Sequence, residues 1–362
     1  MRRLLRSVGV REFSPGSKSG CNERSFLESI KESRRMNSRI CIAMFTGCAL
    51  LLSAHACLAQ GNYPQRPVRF IIPFAPGGAG DFVGRIVAQK LADLLGQPMV
   101  ADNRPGASGF LGVEIGASAK PDGYTILLGN NGAIVISPAV YTTSSVQPTR
   151  DLAAITQIVD VPSVLVVHPS LPVKSVRELI QFAKARPGKL NFGSPGNASG
   201  NRLEMEVFRK TAGLEMTHIP YKGGAGPAVT ALISGETQLM FTTLSSAVPF
   251  IAARRLRALT VTSLARAEVI PSVPTTTELG ITELIGGSWQ GLFFPKDTPA
   301  PIMDRLFAAT VKTMADESVK RRLAAGGVDV VVSTSPAEFS RFVASETQKW
   351  GRAVRESGAT AE

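Results

Sequence analysis

The sequence predicts an α/β protein of two lobes, with mostly parallel sheets and a cleft between them. Strand and helix signals alternate from Val68 to the C-terminus, as successive strand–helix units do. Small-residue loops at 73–81, 104–109 and 193–200 each stand where an apolar run ends and an amphipathic run begins, which puts them at strand ends. The unit starting near Val173 echoes the one starting near Val68, so the second lobe reads as an insertion within the first.

The first unit is the most explicit. Residues 69–72 form an apolar strand, Pro73 and Pro76 end ladder pairing, and Gly77, Gly78 and Gly80 allow a loop that side chains would obstruct. Asp81 is placed as the N-cap of the next helix. Val83, Ile86, Val87, Leu91, Leu94 and Leu95 then recur at three- and four-residue spacing until Gly96 closes the helix. Free N–H groups at such a helix start favour an anionic ligand, because the amides and the positive end of the dipole point at it. A dinucleotide-dependent enzyme using the Gly78 loop is the alternative. Gly78, Gly80 and Gly84 spell G-x-G-x-x-x-G, one residue longer than the standard fingerprint, with Asp102 about where a ribose-binding acid belongs. Pro73 and Pro76 weigh against it, since they fall in the segment that such a fold pairs on both sides.

Downstream, residues 98–101 read as a strand, 110–119 as a helix and 124–128 as a strand ending at Gly129-Asn-Asn-Gly132. A strand at 163–167 leads to helix 173–185, strand 190–192, the loop Gly193-Ser-Pro-Gly-Asn-Ala-Ser-Gly200 and helix 201–211. Strand 217–220, helix 227–234, strand 238–241 ending at Thr242-Thr-Leu-Ser-Ser246 and strand 256–262 follow. Residues 289–295 cross back, and two helices, a strand and a long helix from Pro336 to about Glu356 complete the first lobe. The expected lobes are 62–163 with 286–362, and 164–285.

Residues 1–59 read as a signal segment. An apolar run at 40–52 follows Arg34, Arg35 and Arg39 and precedes Ala54-His-Ala-Cys-Leu-Ala59, the layout of a secretory signal cut after Ala59. Residues 1–35 are polar and patternless, so Met36 is a second candidate start and the preceding stretch an over-extended N-terminus. Cys21, Cys41, Cys48 and Cys57 all precede the cut, and lipidation of Cys57 is the alternative to a plain cleavage. A thiol-free exported chain suits a bacterial periplasm, because a core of this size needs no disulfide. Of the formal net charge of +12, six units lie in residues 1–59, with ten Lys or Arg against four Asp or Glu. The mild surplus left suits anionic ligands, and without basic runs interleaved with aromatics it points to no nucleic acid.

Six motifs occur in one order: Pro73-Phe-Ala-Pro-Gly-Gly-Ala-Gly-Asp81, Asn103-Arg-Pro-Gly106, Pro121-Asp-Gly-Tyr-Thr125, Gly193-Ser-Pro-Gly-Asn197, Pro220-Tyr-Lys-Gly-Gly224 and Leu256-Arg-Ala-Leu-Thr260. Together they resemble the Bug receptors, periplasmic substrate-binding proteins of tripartite tricarboxylate transporters, over residues 62–357. The resemblance implies a type II periplasmic binding protein fold whose hinged cleft closes on a small mono- or dicarboxylate and delivers it to membrane transporter subunits. It implies Phe74, Gly77 and Gly78 in the first-lobe loop, Asn130 at a first-lobe strand end, and Ser194, Gly196, Asn197 and Ser199 in the second-lobe loop. Tyr221, Thr242 and Thr243 follow at second-lobe strand ends. The solute would be held by backbone groups, small polar side chains and water. Ala198, Arg202 and Ser137 stand where the family often has Gly, His and Asn. Thr242 stands where it often has Asp or Asn, which removes a partner for a ligand ammonium group and favours a plain carboxylate.

Catalytic equipment is sparse. His168 and His218 are the only histidines after the cut, no serine sits in a G-x-S-x-G elbow, and no His, Cys or acid cluster has metal-ligand spacing. Acidic residues read as solvated helix faces, and Trp289 and Trp350 as packing. A monomeric receptor with no cofactor is the expectation. The exported chain should begin at Gln60 and contain no cysteine; an intact mass of periplasmic material checks this, and a mass retaining a lipidated Cys57 would contradict it.

Overall fold

The structure, a computed structural model, describes residues 63–284 and 286–357, so the expected signal segment lies outside the described residues. In chain order the first elements are β1 (Val68–Ile72), α1 (Ala79–Leu95), β2 (Met99–Asn103), α2 (Phe110–Ala117), β3 (Thr125–Asn130), α3 (Ser137–Val140), α4 (Pro148–Asp151) and β4 (Leu152–Val167). Next come α5 (Val176–Lys184), β5 (Asn191–Ser194), α6 (Gly200–Ala212), β6 (Thr217–Pro220), α7 (Ala225–Ser234), β7 (Leu239–Thr243), α8 (Leu244–Ala252) and β8 (Arg257–Val261). The chain ends with β9 (Gly287–Pro295), α9 (Ala300–Ala315), α10 (Glu317–Ala324), β10 (Asp329–Val330) and α11 (Pro336–Ser357).

β1 shows why these residues make this sheet. Val68, Phe70 and Ile72 join one buried cluster with α1, α9 and α10, while Ile71 joins another with α2 and α11. A strand covered by helices on both faces needs a continuous apolar run, which β1 has. It lies between β2 and β3, parallel to both. Pro73 and Pro76 stand beyond its end, so they do not obstruct its pairing as the sequence reading supposed.

β4 is shared by two halves of the sheet. Residues 152–162 pair antiparallel with β9, and residues 163–167 pair antiparallel with β7 and β8. The strand order is β2-β1-β3-β9-β4-β7-β5-β6, with β8 and β10 also on β4. Val164 and Val166 enter one cluster of the second half, and Leu165 and Val167 the cluster on its other face. The expected α/β fold is present, but the sheets are mixed rather than mostly parallel. Each half keeps a parallel part, β1 with β2 and β3, and β5 with β6 and β7. The chain crosses between the halves along β4 and returns along β9, and two crossings laid side by side run in opposite directions.

Three further expectations change. β4 is 16 residues long, not five, because register shifts after Ala154 and Gln157 break the alternation that marks a strand. The expected strand end at 242–246 runs instead into α8, a helix that tolerates Pro249 inside it. Asp81 is not the N-cap of α1; that position is Gly78, and Asp81 lies within the first turn.

The last helix packs on the aromatic residues of β9, with Trp350 also reaching Gly200 of α6. Phe339 is fully buried against Trp289, Phe293 and Phe342. The indole N–H groups of Trp289 and Trp350 both donate to Glu346 Oε2, at 3.0 and 2.8 Å. Both tryptophans are therefore packing residues with satisfied polar tips. Among the described residues no helix is long and apolar enough to cross a membrane. Phe339→Ala should lower unfolding free energy by about 3–5 kcal/mol, read as an earlier denaturant midpoint; an unchanged midpoint would show that α11 does not hold the first half together.

Candidate functional site

Loops from both halves surround a cavity with roughly 600 Å³ of empty space, part of it open to solvent. From the first half come Phe74 and the Gly78 to Gly80 stretch, Ser108, and Asn130 to Gly132 at the end of β3. The second half contributes Ser163, the Ser199 to Asn201 helix start, Glu204, Ala225 and Thr243, and the start of β9 adds Ser288 and Gln290.

The first loop is pinned from behind. Asn103 Nδ2, at the end of β2, donates to the Phe74 carbonyl at 2.8 Å and to Asp81 Oδ1 at 3.0 Å. Arg85 Nε reaches the same Asp81 oxygen at 2.8 Å, and Asp81 Oδ2 accepts the Gly77 amide at 3.4 Å. Asp81 is thus occupied on the far side of the loop, and the Ala79 and Gly80 amides, at the first helical positions, have no protein acceptor among the described residues.

Two more helices begin here. Ser199 caps α6 by accepting the Arg202 amide at 3.2 Å, leaving the Gly200 and Asn201 amides at the cavity. α7 starts after Gly224 without a side-chain cap, and Ala225 lines the cavity. Three helix N-termini therefore converge on one space, each bringing partial positive charge and unpaired donors. At the end of β3, Asn130 Nδ2 donates to Ser288 Oγ at 3.3 Å, while Asn131 Oδ1 accepts Ser288 Oγ at 2.9 Å. Gln290 Oε1 is buried without a partner among the described residues.

The floor holds an acid. Glu204 accepts Ser163 Oγ and Asn201 Nδ2, each at 2.9 Å. Burial pushes its carboxyl up to about 7; those two hydrogen bonds oppose the shift and the nearby Asp160 adds to it.

The halves touch across the cleft. The Ala75 amide donates to the Gly223 carbonyl at 2.8 Å, and the Ala198 amide to Ser108 Oγ at 3.2 Å. A Cβ on Gly226 would lie 2.4 Å from the Pro76 carbonyl oxygen, and one on Gly196 would lie 2.5 Å from Ser108 Oγ. Both approaches need glycine.

Of the expected site residues, Phe74, Gly78, Asn130, Ser199 and Thr243 are brought together on the cavity. Gly77, Ser194, Gly196, Asn197, Tyr221 and Thr242 are outside its lining. Gly77 instead meets Asp81, the Asn197 carbonyl takes the Arg202 guanidinium at 3.0 Å, and the Tyr221 hydroxyl meets Glu236 at 3.3 Å. Thr242 is fully buried, its hydroxyl unpaired among the described residues. Sequence reasoning missed Ser108, Asn131, Ser163, Asn201, Glu204 and Gln290. Asn201 and Glu204 did carry a signal, a polar pair three residues apart in the first turn after the small-residue loop, but the acid was taken for a solvated helix face.

Ser194 Oγ lies 2.6 Å from His218 Nε2, the first half of a nucleophilic pair. Ser194 is nonetheless fully buried and off the cavity. Burial, then the charges of Arg202 and Arg209, pull His218 down to about 4, so it is neutral and holds the loop. His168 binds Ser170 at the end of β4, away from the cavity. No group of three His, Cys, Asp or Glu suited to a metal occurs among the described residues.

Residues 83–359 match the sequence model of the family described as tripartite tricarboxylate transporter family receptor. Protein BugT of Bordetella pertussis is 35% identical over 305 residues, spanning 84% of this chain and 93% of that relative. Among solved structures, an R. palustris protein with adipate superposes with a TM-score of 0.79 at 31% identity, covering 82% of this chain and 99% of its own. MatC from Rhodopseudomonas palustris with bound malate gives 0.76 at 29% identity, covering 81% and 100%.

Proposed function

The chain belongs to the tripartite tricarboxylate transporter receptor family, and on that premise we propose that it captures a small mono- or dicarboxylate in the cleft and delivers it to membrane transporter subunits. The carrying observation is the convergence of the α1, α6 and α7 N-termini on a cavity whose lining has no Lys, Arg or His. Such a site holds an anion through fixed amides, with water filling what the amides do not reach. The adipate and malate in the two R. palustris structures support the same solute class.

The lobes are residues 62–163 with 286–362, and 164–285. The change of β4 partners between Pro162 and Ser163 falls one residue before that boundary. Each lobe meets only part of the solute, so the closed arrangement has the differential affinity that moves the hinge. The receptor acts as a monomer in the periplasm, because a single chain encloses the cavity and the signal layout directs export. It binds no nucleic acid and turns nothing over: the cavity offers amides, hydroxyls, carboxamides and the Glu204 carboxyl, and the one hydroxyl bonded to that carboxyl, Ser163 Oγ, has no histidine or lysine beside it on the lining. The dinucleotide alternative finds no support. The Asp102 carboxylate is taken by Arg69 and Arg104 at 2.7 and 3.0 Å, and Gly226 crowds the glycine loop.

Adipate and malate should raise the melting temperature, with roughly 2.7 kcal/mol of added stability at about 100 times the Kd. Gly226→Ala should wedge the Pro76 carbonyl from α7 and weaken binding by about fivefold to about 150-fold, as an overpacking penalty of about 1–3 kcal/mol implies. A protein stabilised only by sugars or cations would contradict the assignment.

A further inference from the structure

Glu204 is the one carboxyl on the cavity lining, and no ion pair of the described residues includes it. Its environment has a fixed polarity. Asn201 Nδ2 donates to Ser163 Oγ at 2.9 Å as well as to Glu204, so the serine proton is directed to Glu204 Oε1 and the carboxyl accepts from both neighbours. Glu204 also lines the cavity, so the acceptor or donor capacity those two bonds leave is shared with that space. An ionised Glu204 would confront a solute anion held in the same cavity by the helix starts, with no Lys, Arg or His on the lining to screen the two. A protonated one presents an O–H donor to the same anion.

Resting on the carboxylate reading above, we propose that Glu204 is a specificity residue that meets the solute as a neutral carboxylic acid, donating its O–H to a solute carboxylate. Where Glu204 is ionised in the free protein, one proton from solvent enters with each ionised solute. The site then favours an acceptor at that end of the solute, and the short carboxyl–carboxylate hydrogen bond replaces a repulsion. Burial of Glu204 keeps its proton available near neutrality, in line with its raised pKa.

The charged groups around it fit this assignment. Asp160 of β4 adds negative charge. On α6 itself, Arg202 turns to the Asn197 carbonyl, and Glu206 pairs with Arg209 at 2.6 Å. On α11, Glu346 pairs with Lys349 at 3.2 Å. β5 and β7, which pack on the same helix, carry no titratable side chain in their spans.

Isothermal titration calorimetry of the intact protein with adipate and with malate, from about pH 6 to about pH 8.5 in buffers of differing ionisation enthalpy, tests this. The wild-type association constant should be flat at the acid end and fall about tenfold per unit above about pH 7.5, with about one proton taken up per solute there. Glu204→Gln should bind with an affinity independent of pH and no proton uptake. Binding by the wild-type protein with neither pH dependence nor uptake overturns the proposal while leaving the carboxylate reading intact. So does a folded Glu204→Gln variant, checked by its melting curve, that has lost both solutes at every pH, because the ionised carboxylate would then be the required form. Should that variant not fold, the wild-type proton uptake decides alone. Failure of the wild-type protein to bind either probe at any pH overturns the carboxylate reading and this proposal with it.

Discussion

The structure depends on the change of partners along β4. Pro162 has no N–H to give a ladder, and at that point the strand leaves β9 and joins β7 and β8. One continuous backbone therefore anchors both halves, while side-by-side crossing with β9 supplies the return. Ser163, the first residue past the switch, lines the cavity and bonds Glu204. Because the strands of both halves end near this line, their following loops face one another, as expected for ligand sites at the carboxyl ends of parallel strands.

The proposed anion site, made of helix starts, is a particular solution to a general problem. Burying a Lys or Arg to hold a carboxylate carries a large desolvation penalty, and the flexible side chain must also be ordered. Amides of α1, α6 and α7 are already fixed by their helices, and each helix start carries about half an elementary charge. Pinning then falls to residues outside the cavity. Asn103, Asp81 and Arg85 hold the first loop, and Ser194 with His218 holds the second. Motif residues such as Ser194 and Asn103 thus shape the site without lining it.

Much of the fold was legible because its punctuation is local. Glycine and proline clusters at 73–81 and 193–200 mark strand ends wherever they occur, and the periodic face of α1 needs no tertiary information. β4 was hidden for the opposite reason, since its bulges and its pairing with β9, more than a hundred residues away, leave no short-range pattern. The candidate site was legible only in part. Phe74, Gly78 and Ser199 follow from loop composition. Glu204, Ser163 and Gln290 do not, because whether a polar residue on a helix or strand meets water or a cavity is decided by the lobe packed against it. Thr242 is buried off the cavity, and the carboxyl on the lining is Glu204, supplied from α6.

In this reading the cleft holds a small carboxylate through backbone amides of both halves. The most direct measurement is the mass of the molecule released on denaturing protein taken from its native envelope under mild conditions. A mono- or dicarboxylate of a few carbons is expected, at no more than one per chain and depleted in Gly226→Ala protein prepared alongside. A released dinucleotide, sugar or metal, or a carboxylate retained equally by the variant, would contradict it.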